Sequence, residues 1–178
     1  MTNPDQDFRA LYDAHFTFVW RCLRRLGVRE PDVFDQTQKV FMTAYFKQAE
    51  FEGRSLVTTW LFGFCERVAS DYRRSALIRR EIATDAAELD AYAASRDEIG
   101  AATELRQRRR LVNAILEKLP EAQRVVFVMF ELEELSGQEI AKLLDISVGT
   151  VRSRLRLGRE AFRREVRRLS AIDRKEAV

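Results

Sequence analysis

The chain has 178 residues, 31 Lys and Arg against 28 Asp and Glu, a formal charge of +3 and 46% hydrophobic residues. That length allows one domain or two small ones, and the composition is too apolar for a disordered polyelectrolyte and too charged for a membrane protein. No apolar run approaches the ~18 residues of a spanning helix, and MTNPDQDF has no secretory pattern. Cys22, Cys65 and the single His15 form no disulfide or zinc pattern. A cytoplasmic protein without membrane insertion, metal or other cofactor is expected, its cysteines serving as small core residues.

The chain reads as all-α. Its prolines, Pro4, Pro31 and Pro120, all stand where helices can begin, Pro4 after a possible cap at Asn3 with Gln6 as its reciprocal partner. Phe8, Leu11, Tyr12, Phe16, Val19, Leu23 and Leu26 recur at three- and four-residue spacing, and Gly27 suits the C-terminal cap of that first helix. Phe34, Thr37, Phe41, Ala44 and Tyr45 form a second stripe. Leu61, Phe64, Val68 and Tyr72 form a third, after an irregular stretch from Phe51 to Thr58. Residues 1–75 are thus expected to make a three-helix bundle.

Residues 76–105 differ, with nine Ala, three basic and seven acidic residues and no bulky apolar stripe. They read as a flexible, partly helical linker. From 106 to 178 there are 17 basic residues against 11 acidic, so the small total charge conceals a basic second domain suited to a polyanion. Within it, Ser136 and Glu139 form an S-x-x-E capping box, Ile140, Ala141, Leu143 and Leu144 give a short helix its apolar face, and Asp145 and Ile146 make a tight turn. Ser147 caps a longer helix in which Val151, Leu155 and Phe162 share one side. Eight Arg against two Glu lie between Ser147 and Arg168. Short helix, tight turn and basic helix make a helix-turn-helix, with small residues at the second N-terminus that admit a phosphate.

The segment LPEAQRVVFVMFELEELSGQEIAKLLDISVGTVRSRLRLGREAFRR resembles region 4 of extracytoplasmic-function (ECF) sigma factors, small members of the sigma-70 family. DVFDQTQKVFMTAY is similar to the polymerase-binding helix of region 2, and FEGRSLVTTWLFGFCERVASDYRRS to its promoter-melting segment. Two motifs in the right order cover about two thirds of the chain. The resemblance implies a sigma factor that binds core RNA polymerase through the β′ coiled coil and the β flap, and directs it to −10/−35 promoter DNA without catalysing any bond change. An anti-sigma partner is a further expectation.

By that resemblance, Asp32, Asp35, Gln38 and Phe41 match the polymerase-docking positions, carboxylates meeting a basic surface with Phe41 as apolar anchor or, equally, as core. Phe51, Ser55, Thr58 and Thr59 would surround a flipped −10 base. Trp60 would support that base or fill the bundle core, and Arg67, Arg73 and Arg74 would hold the backbone. Thr150, Arg152, Ser153, Arg154, Arg156 and Arg159 are the −35 candidates, with Arg154 either a contact or solvated. Arg67 stands where many relatives carry Asn, and Leu157 where they often carry a basic residue. The apolar residues from Leu119 to Leu135, which face the β flap in the family, are assigned mainly to core packing.

Other classes fit less well. A helix-turn-helix regulator that is no sigma subunit would normally carry a sensing domain, and nothing N-terminal alternates strand with helix. An anti-sigma or adaptor protein would not need the basic recognition helix. An enzyme is not indicated: P-loop, G-x-G-x-x-G and H-E-x-x-H are missing, and His15 has no nucleophile beside it.

Overall fold

The computed structural model describes residues 4–51, 53, 55–82 and 101–176. The helices are α1 (Pro4–Arg25), α2 (Val33–Lys47), α3 (Val57–Ile82), α4 (Ala101–Glu117), α5 (Glu121–Phe127), α6 (Gly137–Leu144) and α7 (Val148–Glu176). The expected cap at Asn3 and residues 83–100 of the expected linker lie outside the described residues. Of the expected linker, residues 76–82 belong to α3, which ends at Ile82, and residues 101–105 belong to α4, which begins at Ala101.

Local chemistry sets the helix ends. Gly27 adopts φ +94°, which a Cβ would resist, and Val28 N–H reaches back to Leu23 O at 3.0 Å as α1 closes. Pro31 opens the single turn Glu30–Asp32 that leads into α2, while Pro120 stands as the residue flanking α5. Helix α5 runs on into a π-helical turn, Val128–Leu132, which periodicity alone does not reveal.

The helices α1, α2 and α3 pack mutually, as expected from their stripes. Val19, Cys22, Leu23, Val40, Leu61, Phe62 and Cys65 are fully buried at their centre. Each large side chain of this kind contributes ~1.5–3 kcal/mol by leaving water. Both cysteines are free and buried. Burial raises the Cys22 thiol well above its ordinary value, and its contact with Cys65 adds to the shift. These thiols belong to the core.

The same buried cluster continues where α5 crosses α7 and α6 rests on α7. Leu116, Val126, Val128, Met129 and Ile140 are fully buried there, Val151 and Leu155 nearly so, and the Phe127 and Phe162 rings stack at 5.0 Å. Gly158 permits the crossing, because a methyl at that position would sit 3.2 Å from Gln123 O. The apolar residues of α5 and its π turn are thus mostly core. Among the described residues no helix is long and apolar enough to cross a membrane.

Candidate nucleic-acid and polymerase interfaces

The helix-turn-helix is built from two caps and one left-handed residue. Ser136 Oγ accepts from Glu139 N–H at 3.2 Å while Glu139 Oε2 accepts from Ser136 N–H at 2.8 Å. The hydrogen bond from Ser136 holds the Glu139 carboxyl below its ordinary value. Asp145 then takes φ 51°, a conformation short polar side chains tolerate, and Ile146 N–H bonds to Ala141 O at 3.0 Å. Ser147 Oγ accepts from Thr150 N–H at 3.0 Å and starts α7. The turn is therefore Asp145, Ile146 and Ser147.

With Val151 and Leu155 buried, the helical period turns Arg152, Ser153 and Arg156 to solvent. Thr150 and Arg154 are half-buried, and Ser153 Oγ is occupied with Thr150 O at 3.0 Å. Arg156 pairs with Glu160 at 2.7 Å along the helix. Arg159 differs: its Nε donates to Glu131 at 2.6 Å and its guanidinium lies 5.4 Å from the Phe130 ring centre. The π turn thus fixes the aim of Arg159, a partner invisible in the spacing of α7.

The α2 positions are partly rearranged. Asp35 and Gln38 are exposed, and Asp32 accepts from Tyr72 Oη at 2.6 Å. Burial first, then this bond, raises the Tyr72 phenol. Asp32, Asp35, Asp71 and Tyr72 line a groove of about 740 Å³ between α2 and α3, with Lys39 as its cation. Phe41 is corrected: it is 3% exposed and packs on Tyr12 at 4.5 Å and Phe8 at 6.4 Å, so it is core and no surface anchor. Phe34, expected inward, is exposed with Met42 and Phe46, the last two at 60% and 76%. Positions 34, 38, 42 and 46 follow a four-residue spacing of their own, the signal that the inward stripe masked.

At the start of α3, Phe51 and Trp60 lie 5.0 Å apart and Trp60 meets Phe64 edge-on at 4.9 Å. Trp60 is half-buried, so it joins the core through one edge and keeps surface on the other. Ser55, Arg67 and Arg74 are exposed, Arg74 with Asp71 at 3.3 Å, and Thr58 is half-buried. Thr59 departs from the expected ring around a base: it is 5% exposed, with a buried hydroxyl that has no partner. Arg73 departs too. It donates to Leu26 O and, at 2.5 Å, to Glu121 of α5.

Comparison with known proteins places this geometry. Residues 109–162 match the family described as Sigma-70, region 4. The chain is 33% identical over 148 residues to the ECF RNA polymerase sigma-E factor of Escherichia coli K12, covering 78% of this chain and 75% of that protein. The chain belongs to the ECF sigma factors. A similar match joins this sigma factor to the ECF RNA polymerase sigma-E factor of Haemophilus influenzae, 32% identical over 149 residues, with 80% and 78% covered. Its fold agrees with the sigma factor RpoE solved with the anti-sigma factor NepR from Bartonella quintana, at TM-score 0.66 and 17% identity over 91% of this chain and 98% of that one. CnrH, solved with the cytosolic domain of CnrY, superposes at TM-score 0.65 and 23% identity, covering 91% and 88%. The sigma factor binds RNA polymerase and directs it to promoter DNA.

Proposed function

We propose that the labour of initiation divides between residues 1–75 and residues 106–178, with 76–105 as the linker. The outer face of α2 docks on core polymerase through Asp32, Asp35 and Gln38, with Phe34 and Met42 as the apolar anchors in place of Phe41. The aromatic pair Phe51 and Trp60, with Ser55, Thr58 and the exposed Arg67 and Arg74, receives the unpaired −10 strand. The N-terminal turns of α7 read the −35 element. Arg152, Ser153 and Arg156 make the direct contacts, and Thr150, Arg154 and the tethered Arg159 flank them. The protein acts in the cytoplasm by binding alone, and an anti-sigma partner holds it inactive.

The observation that carries this reading is the start of α7. A capped three-residue turn fixes the helix, one face is buried, and the opposite face presents the exposed Arg152 and the Glu160-paired Arg156 near an N-terminus that favours phosphate. The test is run-off transcription with purified core polymerase on fragmented genomic DNA, with and without the protein. New specific transcripts that weaken with Arg152→Ala, while polymerase capture stays unchanged, are expected. DNA binding without any new transcript would favour a regulator that is no sigma subunit.

A further inference from the structure

One side of α7 is seated on the core along most of its length. Val151 and Leu155 are buried, Phe162 stacks on Phe127 at 5.0 Å, and Leu169 packs against the same cluster. Between them Gly158 admits α5 so closely that a methyl there would stand 3.2 Å from Gln123 O. The helix is therefore anchored from its first turn to Leu169, and its outer face has a fixed aim over that whole span.

That outer face carries more arginines than the reading of one groove uses. At the helical period Arg152, Arg156, Arg163 and Arg167 fall within about 60° of one another around the axis, about a third of a turn from the buried line. Arg163 and Arg167 are exposed. They stand about 16 and 22 Å beyond Arg152 along the axis, whereas the major groove is about 12 Å wide. A helix whose N-terminal turns lie in the groove thus carries these two side chains past its edge, to the phosphates that border it.

Interactions within the helix do not account for the pair. The two carboxylates of the same stretch are taken, Glu160 by Arg156 at 2.7 Å and Glu165 by Arg168 at 2.9 Å, and Arg163 and Arg167 make no ion pair among the described residues. They stand four residues apart, where like charges on a helix repel. Both lie more than two turns before the end of α7 at Glu176, outside the last turn in which the helix dipole favours a cation. An external polyanion would reward what the helix alone does not. Duplex DNA fits best, because the line continues the −35 candidates and a guanidinium fork matches phosphate.

We propose that Arg163 and Arg167 form a backbone grip, which holds phosphates of the duplex beside the −35 groove and adds affinity without reading sequence. The grip rests on the assignment of the first turns of α7 to the −35 element. Binding of holoenzyme, reconstituted from core polymerase and the full chain, is measured against salt concentration on two duplexes: a promoter fragment recovered by run-off, and the same fragment with its −35 sequence scrambled. Arg163→Gln/Arg167→Gln should weaken both by the same factor, roughly tenfold or more at 0.1 M salt, with a salt slope shallower by about 1.8 for two lost phosphates. The ratio between the two DNAs should stay at its wild-type value. Arg163→Lys/Arg167→Lys should restore the slope, since lysine still meets a phosphate as a point charge. Arg109→Gln/Arg110→Gln removes the same charge from exposed positions of α4 and should keep the wild-type slope. Circular dichroism checks the fold of each variant.

Wild-type affinity and slope in the glutamine variant would overturn the grip, as would an equal loss in the α4 control. A changed ratio between the two DNAs at an unchanged slope would make the pair base readers instead. Loss of polymerase capture in place of DNA affinity would make this surface a protein contact. If no transcript is obtained with core polymerase, the full chain is titrated with a random-sequence duplex at low salt. A slope shallower by about 1.8 in the variant would then support the grip and count only against the sigma-factor reading, and an unchanged slope would overturn the grip.

Discussion

Replacing the adjacent residues Phe41 and Met42 one at a time separates core from interface on α2. Phe41 is 3% exposed and meets two aromatic rings, so Phe41→Ala removes nearly all of a buried phenyl group. Such truncations cost about 3–5 kcal/mol, a large share of the ~5–15 kcal/mol that holds a domain together. With a urea dependence of ~1–3 kcal/mol per molar, the unfolding midpoint should fall by about 2 M. Met42 is 60% exposed. Its replacement by Ala should change stability by no more than about 0.5 kcal/mol, yet lower capture by limiting core polymerase about tenfold, as loss of an apolar anchor does. Urea unfolding and pull-down on the same two variants provide the assay, with Phe41→Leu as a milder core change. If Phe41→Leu lowered capture more than Met42→Ala while unfolding like wild type, the assignment of Phe41 to the core and Met42 to the interface would be refuted.

Ser147→Ala removes the acceptor for Thr150 N–H and should cost about 0.5–2 kcal/mol of stability in the helix-turn-helix. Thermal unfolding would show it, and −35 binding should weaken more than polymerase capture. Acid should act on the neighbouring cap. The folded Glu139 carboxyl lies below its reference value of 4.5, so its stabilisation is complete above pH 4.5 and disappears as pH falls through the lowered value. Glu139→Gln keeps an amide at the capping position without a titrating group. It should therefore melt near wild type at pH 7 and lose less of its midpoint on acidification, and parallel losses for both proteins would contradict the cap's role.

Much of the recognition unit was legible along the chain because its determinants are local. The capping box at Ser136 and Glu139, the turn at Asp145, the cap at Ser147 and the inward spacing of Val151 and Leu155 act over three or four residues, and the structure realises each of them. The three-helix bundle was legible for the same reason, since helical period sets which residues can share a face. The period does not say which of two apolar faces turns inward. On α2 that choice, which buries Phe41 and exposes Phe34, Met42 and Phe46, comes from packing against Tyr12 and Phe8 of α1.

Partners distant in sequence were equally out of reach. Arg73 and Arg159 carry the residue type expected of a DNA contact, but Glu121 and Glu131 decide how they are held, and Glu133 joins α1 to the turn after α5. Composition and periodicity thus determined the helices, their order and the basic recognition surface. Only the tertiary structure decided which arginines stand free, because an ion pair between residues 48 positions apart depends on where two helices meet.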